Sequence, residues 1–304
     1  MFDCIVIGGG PSGMSASVYL ARQKMKFAMF AGNLGGQVTW SSDVENYLGI
    51  HKISGVKLVE AFHHHLDDYR QVMEMHEGEN VLHVLKTVGG FSVQTDRGAY
   101  PTRTVLIATG ADHRKLEVEG EDQYNMKGIS YCSTCDAPLF ADKKVHVIGG
   151  GNSAMDAALF LAKYAKEVHL LTLNAELMGD ELMKQNCLSN PKITVHASTK
   201  TSKFMGKEML DTIVLIGPDG KETSHTTEGV FIEIGLKPQS DMIDFVAKDK
   251  IGQIVVDSHN QTNVEGVWAA GDVTTIAFKQ VAIAVGEGSK AALDIIRYLQ
   301  STPS

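Results

Sequence analysis

Short apolar runs and longer amphipathic stretches alternate along the chain and predict a repeated strand–helix–strand order. The apolar run Cys4–Ile7 predicts a buried strand, followed by a helix from Ser12 to about Lys24 and a second strand at Phe27–Phe30. The same order returns between Lys144 and Leu173. Each such unit builds a parallel sheet covered by helices, so the pattern predicts an α/β protein.

Two further strands end in glycine turns and predict how the units are joined. Thr104–Gly110 is a buried strand before the second unit, and Gly266–Asp272 is another near the end, followed by a helix from Gln280 to Leu299. We interpret this tail as returning to the first unit. The predicted fold has two doubly wound, Rossmann-like dinucleotide-binding domains, the second inserted into the first. The expected domains are residues 1–112 with 246–304, and residues 113–245.

Composition and charge exclude several classes of protein. Of the 304 residues, 43% are hydrophobic and 21% are charged, which is typical of a globular protein. The net charge of −8 gives no electrostatic reason to bind nucleic acid or an anionic membrane. No apolar run approaches the ~20 residues of a membrane span. The start of the chain predicts a first strand rather than a signal peptide, so we expect a cytoplasmic protein.

A glycine-rich loop follows the first strand of each predicted unit. Its glycines permit a tight turn and close approach of a pyrophosphate, and the N–H groups at the start of the next helix attract phosphate. The residues concerned are Gly8, Gly10, Pro11, Ser12 and Gly13 in the first loop and Gly149, Gly151, Asn152, Ser153 and Ala154 in the second. Both loops therefore predict dinucleotide binding.

The first loop is better suited to FAD than to a nicotinamide cofactor. An acidic partner for the ribose is expected at the end of the second strand, but Phe30 stands there. In the tail, Asp272 follows Gly271 and a buried strand, where its carboxylate can contact ribityl hydroxyls. The helix that starts near Gln280 would direct its positive N-terminus at the flavin, which gains negative charge on reduction.

Two cysteines in a CxxC motif, Cys132 and Cys135, lie between the two loops. The four cysteines of the chain are too few and too scattered for a disulfide scaffold, so the motif predicts redox chemistry or metal binding. A zinc site would need a second pair of ligands, which Cys4 and Cys187 do not supply. We therefore expect a redox-active dithiol and no metal.

The histidine tract His63–His65 and the isolated Cys187 suggest other chemistry. Successive residues of a helix point in different directions, so we expect the three histidines to form a solvated helix surface rather than a metal site. Cys187 lies in an amphipathic helical stretch and is expected to be structural.

Several short motifs occur in an order that resembles the low-molecular-weight thioredoxin reductases and the related flavoprotein half of alkyl hydroperoxide reductase. They are Gly35–Gln37, Val44–Asn46, Ala108–Gly110, Cys132–Asp136, Gly149–Ala154, Gly271–Asp272 and Lys279–Gln280, and they cover nearly the whole chain. The resemblance implies an FAD-containing homodimer that reduces thioredoxin or a thioredoxin-like protein. It also implies a rotation of the inserted domain during turnover.

The resemblance implies roles for individual residues. The Cys132–Cys135 disulfide would receive two electrons from reduced flavin, with Cys135 facing the flavin, and pass them on by thiol–disulfide exchange. Asp136 resembles the acid that manages protons at this step, and a helix N-cap is the alternative. Residues implied to bind FAD, besides the first loop, are Gly36, Gln37, Asn46, Ala108, Thr109, Gly110, Gly271, Asp272, Lys279, Gln280 and Val281.

The expected electron donor departs from the family. In members that use NADPH, a basic cluster after the second strand of the inserted domain grips the 2′-phosphate. Here Leu170–Asp180 contains no basic residue, and no arginine occurs between Arg114 and Arg297. An acid that would select NADH is also missing, because Thr172 stands in its place. NADPH in the usual geometry is disfavoured, and NADH, NADPH held by lysines, and an NADPH-independent donor such as reduced ferredoxin stay open.

The sequence therefore predicts a thioredoxin-disulfide reductase, an FAD flavoprotein, whose donor is reduced ferredoxin or NADH. Two alternatives stay open: a conventional NADPH-dependent thioredoxin reductase, and a flavin-bearing redox sensor whose CxxC motif gates a partner without turnover. A ferredoxin–NADP reductase of related fold is disfavoured because it has no need of this dithiol.

Overall fold

The computed structural model describes residues 1–41 and 44–302, so residues 42, 43, 303 and 304 of the expected first domain lie outside the described residues. The strands are β1 (Phe2–Gly9), β2 (Phe27–Leu34), β3 (Met73–Glu77), β4 (Val81–Thr87), β5 (Gly90–Thr95), β6 (Ala99–Ile107), β7 (Ala111–His113), β8 (Ile129–Ser130), β9 (Lys144–Ile148), β10 (Glu167–Leu171), β11 (Ile193–His196), β12 (Lys200–Gly206), β13 (Leu210–Ile216), β14 (Glu222–Thr226), β15 (Gly229–Ile232), β16 (Leu236–Pro238) and β17 (Val267–Ala269). The helices are α1 (Pro11–Arg22), α2 (Gly55–Asp67), α3 (Glu121–Tyr124), α4 (Ser133–Asp136), α5 (Asn152–Leu161), α6 (Glu181–Ser189) and α7 (Val281–Ser301), and two 3-10 helices span Gly36–Trp40 and Ala137–Phe140.

The chain divides into two compact units. The first contains Met1–Asp112 and Lys237–Ser304, and the second contains His113–Leu236. The return to the first unit therefore falls at Lys237 rather than at residue 246. The reason is apolar burial: Ile243 and Val246 belong to the core of the first unit, and Phe245 packs against it.

The first unit is built on a seven-stranded sheet. Its strand order is β3-β2-β1-β6-β5-β4, and β17 pairs with the second half of β6. The strands β1, β2, β3 and β17 run parallel to their neighbours, whereas β5 is antiparallel to both β4 and β6. Along β1, Cys4 and Val6 face one apolar cluster and Ile5 and Ile7 face the other, so both faces of the sheet are covered.

Helices α1 and α7 pack closely beside this sheet. A Cβ on Gly288 of α7 would lie 2.0 Å from the carbonyl oxygen of Ser12, so only glycine permits this approach. The hydroxyls of Ser15 and Ser289 lie 2.7 Å apart across the same contact. The buried indole N–H of Trp268 in β17 donates to Asp294 of α7 at 3.0 Å. These contacts tie α7 to α1 and to β17.

The second unit contains an all-parallel five-stranded sheet and a separate antiparallel one. The order of the parallel sheet is β11-β10-β9-β15-β8, and the antiparallel sheet has the order β12-β13-β14. Helix α5 follows β9 and packs with it around Val145, Val147 and Ala158. Both units thus have the doubly wound parallel arrangement, which confirms the predicted fold class.

Three histidines from adjacent strands form a ladder on one face of the parallel sheet: His146 in β9, His169 in β10 and His196 in β11. The ring centroids of His146 and His169 lie 4.7 Å apart, and those of His169 and His196 lie 5.0 Å apart. His146 is 1% exposed, and burial together with the neighbouring His169 lowers the pKa of its imidazole to about 2. Thr227 contacts its Nδ1 at 2.9 Å. His146 is therefore neutral at physiological pH, and burial also lowers the pKa of His169 and of His196.

Candidate active site

The first glycine-rich loop leaves β1 and enters α1. Gly8 has a φ of +120°, and a Cβ there would lie 2.2 Å from the carbonyl oxygen of Ala108. A Cβ on Gly13 would lie 2.0 Å from the carbonyl oxygen of Gly8. Gly10 is the N-cap of α1 and Pro11 follows at its first turn, with no side chain capping the helix. The backbone N–H groups at the start of α1 are therefore left for another acceptor.

Ser12 supplies a direct test of whether a dinucleotide fits this loop. Its side chain is 4% exposed, and its hydroxyl has no hydrogen-bond partner among the described residues. A Cβ added to Gly10 would have no atom within 4 Å, and one on Gly36 would meet only the Cα of Gly10, at 4.0 Å. A buried unpaired hydroxyl beside open space and a helix N-terminus fits a phosphate group.

The other predicted FAD residues of the N-terminal segment surround the carboxyl end of β6. Gly110 has a φ of +73° and open space where a Cβ would stand. The hydroxyl of Thr109, which follows Ala108, donates to the carbonyl of Gln239, and the amide of Gln37 donates to the carbonyl of Ala111. The structure thus brings Gln37 to the segment that follows β6.

Asn46 and Gln280, which are far apart in the sequence, contact each other in the first unit. The Asn46 amide donates to Oε1 of Gln280 at 3.2 Å. Gln280 is the N-cap of α7 and Val281 is its first residue, with no side-chain cap on the helix. Among the predicted FAD residues, Asn46 therefore lies beside Gln280 and Val281 at the start of α7.

Asp272 and Lys279 form a partly buried pair of opposite charges near the first loop. Burial raises the pKa of Asp272 and lowers that of Lys279, and each charge partly offsets the shift of the other. Lys279 Nζ also donates to the carbonyl of Thr274 at 2.6 Å. Gly271 stands against Ser12, with 3.1 Å between the position of its missing Cβ and the Cβ of Ser12. The tail therefore lies beside the first loop.

The second glycine-rich loop repeats this backbone between β9 and α5. Gly149 has a φ of +145°, and a Cβ there would lie 2.3 Å from the carbonyl oxygen of Glu233. Gly151 is the N-cap of α5, faces open space and has no side-chain cap. Asn152 Oδ1 accepts a hydrogen bond from the backbone of Asp180 at 2.8 Å, and Ala154 is fully buried. The Asn152 amide oxygen is therefore already used to hold the next loop.

That next loop, between β10 and α6, contains neither the basic cluster that would select NADPH nor an acidic residue at position 172 that would select NADH. Thr172 is 1% exposed, and its hydroxyl accepts the backbone N–H of Asn174 at 3.2 Å. A Cβ on Gly150 would lie 2.1 Å from that hydroxyl oxygen. Glu176 is exposed, and Asp180 caps α6 by accepting from the N–H of Met183 at 3.0 Å. The hydroxyl of Thr172 is thus engaged inside the loop instead of facing a ribose.

The two cysteines of the CxxC motif form a disulfide. Cys132 and Cys135 have Cα atoms 5.3 Å apart, and Cys135 lies within the short helix α4. Cys132 is the N-cap of α4, and the backbone N–H of Cys135 donates to Cys132 Sγ at 3.2 Å. An N–H directed at this sulfur favours its thiolate once the bond is reduced. The pairing predicted from the sequence is therefore present.

Asp136 is held by a residue that the sequence analysis did not single out, Ser130. The Ser130 hydroxyl donates to Asp136 Oδ2 at 2.6 Å and accepts the N–H of Cys132 at 3.0 Å. Asp136 precedes the 3-10 helix Ala137–Phe140 but its side chain does not cap it. The N-cap alternative is therefore not observed. A serine two residues before a turn is a local backbone-capping pattern, which is the signal that could have found it.

The residue before the first cysteine is anchored by a buried carboxylate. The hydroxyl of Tyr131 donates to Glu121 at 2.8 Å, and Glu121 is 2% exposed. The same carboxylate accepts the backbone N–H groups of Leu116 and Glu117 at 2.9 and 2.7 Å. Burial and this carboxylate raise the pKa of Tyr131. Two backbone N–H groups thus hold Glu121 in place, and Glu121 anchors the CxxC segment through the one hydrogen bond from Tyr131.

Glu233, directly after β15, is a second residue missed by the sequence analysis. Its Oε2 accepts the hydroxyl of Ser153 at 3.0 Å, and its backbone N–H donates to Ile148 at 2.8 Å. Burial is the main reason that the pKa of Glu233 rises to about 7. A carboxylate that directly follows an apolar parallel strand lies at the edge of the sheet where ligands bind. This position could have identified Glu233 from the sequence.

The remaining cysteines and the histidine tract lie away from this chemistry. Cys4 and Cys187 are fully buried, and burial raises their thiol pKa to about 12 and about 11, so they are poor nucleophiles. His63 contacts Glu77 and Arg70, whereas His64 and His65 are exposed. In residues 1–41 and 44–302, no cluster of three or more His, Cys, Asp or Glu is arranged to hold a metal ion. In the same residues, no helix is long and apolar enough to span a membrane.

Comparison with known proteins identifies the family. Residues 2–288 match the family model described as pyridine nucleotide-disulphide oxidoreductase, and the chain belongs to this family. Its structural neighbours are low-molecular-weight thioredoxin reductases, which confirms the resemblance drawn from the motifs. The structure is similar to the thioredoxin reductase from Streptococcus pyogenes MGAS5005, with a TM-score of 0.94 and 32% identity over 99% of both chains. Family membership implies FAD as the cofactor.

Curated relatives are longer than this chain. The chain is 37% identical, over 99% of its length, to an alkyl hydroperoxide reductase component of Escherichia coli (strain K12), and spans 59% of that protein. It is 36% identical, over 98% of its length, to an NADH dehydrogenase of Bacillus subtilis (strain 168), and spans 58% of it. The chain thus corresponds to a little over half of each of these relatives.

Proposed function

We propose that this chain is a flavin-dependent disulfide reductase that passes electrons from FAD, through Cys132 and Cys135, to thioredoxin or a thioredoxin-like protein. The observation that carries the proposal is the Cys132–Cys135 disulfide beside Asp136, in a chain whose other unit has a loop fit for FAD. The thioredoxin reductase named among its structural neighbours supports the choice of partner.

In this proposal the protein's own residues manage electrons and protons at the disulfide. FAD, when bound and reduced, supplies one electron pair. That pair breaks the Cys132–Cys135 bond, and two protons complete the two thiols. The dithiol then attacks the partner's disulfide, passes through a mixed disulfide and ends oxidised again, while the partner leaves as a dithiol. Asp136, oriented by Ser130, is the proposed group that takes and returns a proton at this step.

The residues proposed to hold FAD are those that the first unit brings together. The N–H groups at the start of α1 and the Ser12 hydroxyl would bind the phosphates. Asp272 would contact ribityl hydroxyls, and the start of α7 would face the flavin ring. The further members of the proposed set are Gly8, Gly10, Pro11, Gly13, Gly36, Gln37, Asn46, Ala108, Thr109, Gly110, Gly271, Lys279, Gln280 and Val281.

For the electron donor we propose NADH or reduced ferredoxin rather than NADPH in its usual mode. The loop after β10 offers the exposed Glu176 and the capping Asp180 but no arginine, and a 2′-phosphate would meet negative charge there. The second loop, Gly149–Ala154, keeps an uncapped helix start that can bind a pyrophosphate. The name NADH dehydrogenase, carried by one relative, supports NADH as one of the two.

Two cysteine variants test the proposed transfer of electrons through Cys132 and Cys135 to the partner's disulfide. Cys132→Ser and Cys135→Ser should each reduce turnover of thioredoxin by at least about a thousandfold, because each removes one sulfur of the exchange. Bound FAD should be retained in both, and Cys187→Ser should retain turnover as a matched control. Unchanged turnover in both variants would overturn the proposal. Oxidation-dependent binding of a partner, with negligible reduction under every donor, would instead favour a redox sensor.

The donor is tested by anaerobic mixing of the flavoprotein with NADH, NADPH or chemically reduced ferredoxin. Flavin absorbance reports reduction directly, so the assay does not depend on the disulfide partner. We expect bleaching by NADH or by reduced ferredoxin at low concentration, and slow bleaching by NADPH. Rapid bleaching by low concentrations of NADPH would contradict our interpretation of the arginine-free loop.

Two more proposals follow from the family resemblance alone. The protein would be a homodimer, which light scattering coupled to gel filtration measures directly, and its location would be cytoplasmic.

A further inference from the structure

The end of β2 carries no acidic side chain for the ribose of a bound dinucleotide. The ring of Phe30 is 1% exposed and stacks on His76, with 4.3 Å between the ring centroids, so it faces the core. The first exposed position of the strand is Gly32, which has no side chain. In a Rossmann-like unit this strand end lies beside the ribose, whose hydroxyl an acidic residue accepts. Any side-chain acceptor at Gly32 must therefore come from another segment.

The amide oxygen of Asn80 occupies the place that a side chain of Gly32 would take. A Cβ added to Gly32 would lie 2.2 Å from Asn80 Oδ1. Asn80 follows β3, which pairs with β2, and the backbone N–H of Gly78 donates to the carbonyl of Ala31 at 2.8 Å. The loop after β3 is thus held against β2 and places an acceptor atom at the end of that strand.

Asp96 fixes the orientation of the Asn80 amide. Asn80 Nδ2 donates to Asp96 Oδ2 at 3.0 Å, and the backbone N–H of Asn80 donates to Asp96 Oδ1 at 3.3 Å. The amide nitrogen is therefore directed at Asp96, and the amide oxygen lies against Gly32. An amide oxygen accepts hydrogen bonds from hydroxyl groups as a carboxylate oxygen does, although the bond is weaker because the amide is uncharged.

The acidic residues near the same loop are engaged elsewhere. Glu77, the last residue of β3, accepts a hydrogen bond from Arg70 at 2.8 Å. Glu79 is 2% exposed and accepts the hydroxyl of Thr95. Among the described residues, and apart from the chain neighbours of the glycine, only Asn80 has an atom within 4 Å of the added Cβ. The amide is therefore the polar group best placed to act at this strand end.

We propose that Asn80 recognises the adenosine ribose of FAD: its amide oxygen accepts a hydrogen bond from a ribose hydroxyl, in place of the missing acid of β2. The inference deepens the proposed function and rests on the FAD site of the first unit. Because the amide nitrogen is held by Asp96, the contribution of Asn80 to affinity comes from its oxygen. Asn80 should therefore strengthen the binding of FAD but not of an analogue that lacks both ribose hydroxyls.

Titration of the apoprotein with FAD and with its 2′,3′-dideoxyadenosine analogue tests this role, with flavin fluorescence as the readout. The ratio of the analogue's Kd to the Kd of FAD isolates the ribose hydroxyls, because general destabilisation of the unit weakens both ligands alike. Asn80→Ala should weaken FAD binding about three- to tenfold, through the loss of one hydrogen bond, and change analogue binding less than about twofold. Gly32→Ala should lower the same ratio, because its Cβ displaces the amide oxygen.

Asn33→Ala is the matched control, since Asn33 is the exposed asparagine next to Gly32 in β2. It should leave the ratio unchanged. The double variant Asn80→Ala with Gly32→Asp should recover the higher ratio, because it restores an acceptor at the end of β2.

Three results would overturn the proposal: an unchanged ratio in both Asn80→Ala and Gly32→Ala, an equal loss of affinity for FAD and the analogue in Asn80→Ala, or a loss confined to Asn33→Ala. If Asn80→Ala fails to fold, as judged by circular dichroism, Gly32→Ala supplies the result. A wild type without affinity for FAD would overturn the proposed function itself, whereas an unchanged ratio overturns only the role of Asn80.

Discussion

Gly8 and Gly149 occupy equivalent places in the two units. Each follows apolar residues of a buried parallel strand and has a positive φ, and a Cβ would lie 2.2 Å from the carbonyl of Ala108 in one and 2.3 Å from that of Glu233 in the other. Their surroundings differ: the Ser12 hydroxyl has no partner in residues 1–41 and 44–302, whereas Ser153 already donates to Glu233. The serine hydroxyl beside the same backbone turn is thus without a partner in one unit and bonded to Glu233 in the other.

This difference teaches what a glycine-rich fingerprint specifies. The glycines fix a turn and direct helix N–H groups toward a phosphate, and they do so equally in both units. Which nucleotide binds depends on side chains that come from other strands and loops, such as Asp272 in the first unit or Thr172 in the second. A glycine-rich fingerprint therefore predicts a phosphate-binding turn, and side chains of neighbouring loops determine which nucleotide binds there.

The largest effect is expected when each loop loses its first glycine. Gly8→Ala and Gly149→Ala both force a Cβ into a backbone carbonyl at positive φ, so each should destabilise its own unit by at least about 3 kcal/mol. Only Gly8→Ala should lose FAD, measured as flavin absorbance that stays with the protein on gel filtration. Both tryptophans, Trp40 and Trp268, belong to the first unit, so their fluorescence reports that unit separately. Loss of flavin in Gly149→Ala with unchanged fluorescence would contradict the comparison.

The second largest effect is expected at acidic pH, where the buried His146 of the histidine ladder should destabilise the second unit. The pKa of His146 is about 2 in the folded protein and about 6.5 when unfolded, so below pH 6.5 the unfolded chain binds a proton that the folded chain does not. This one group should therefore cost about 2 kcal/mol of stability at pH 5 relative to pH 8.

His146→Leu removes this titration and is compared with wild type by urea unfolding at both pH values. The stability of the wild type relative to the variant should fall by about 2 kcal/mol from pH 8 to pH 5, and taking the difference cancels groups such as Glu233 that titrate in both proteins. The change should appear in circular dichroism rather than in tryptophan fluorescence, because the second unit contains no tryptophan. A pH-independent difference between the two proteins would show that burial of His146 does not control acid stability.

A smaller effect is expected from the matched serines of the two loops. Ser12→Ala should weaken FAD binding about tenfold, since a hydrogen bond to a charged phosphate is lost, while Ser153→Ala should leave FAD affinity unchanged. Titration of the apoprotein with FAD, followed by quenching of flavin fluorescence, measures both constants. Equal affinities for wild type and Ser12→Ala would mean that the orphan hydroxyl does not face the phosphates.

The smallest effect concerns one helix cap in each unit. Asp180 accepts the N–H of Met183 at 3.0 Å, and Ser54 accepts that of Lys57 at the longer distance of 3.4 Å. Asp180→Ala should cost about 1 kcal/mol and Ser54→Ala about 0.5 kcal/mol, because the carboxylate also interacts with the helix dipole. Thermal unfolding of the two variants checks the order, and a larger loss for Ser54→Ala would reverse it.

Much of this structure was predictable, for reasons that differ between fold and site. The strands at Cys4–Ile7 and Lys144–Ile148 are short apolar runs buried on both faces, so their burial can be read from the sequence. The pairing of Cys132 with Cys135 depends on two neighbouring residues and is equally local. Contacts of this range are contained in a short stretch of sequence.

The rest depends on contacts between distant segments. Glu233 reaches Ser153 only because β15 pairs with β9. The hydroxyl of Thr172 accepts the N–H of Asn174 and lies against Gly150, which no pattern of residue types predicts. We predicted that the chain returns to the first unit at residue 246, whereas it returns at Lys237. Ile243 and Val246 resemble any other apolar residues until the core that they join is known.

The first unit is assembled from both ends of the chain, and this arrangement has a consequence for biosynthesis. The second unit, His113–Leu236, is continuous and leaves the ribosome before β17 and α7 have been made. Domains generally fold as they emerge, so the inserted unit can close its sheet on the nascent chain. Trp268, Asp294 and Gly288 can contact the first sheet and Ser12 only after the second unit has been synthesised. Flavin capture is therefore expected to follow the formation of the second unit.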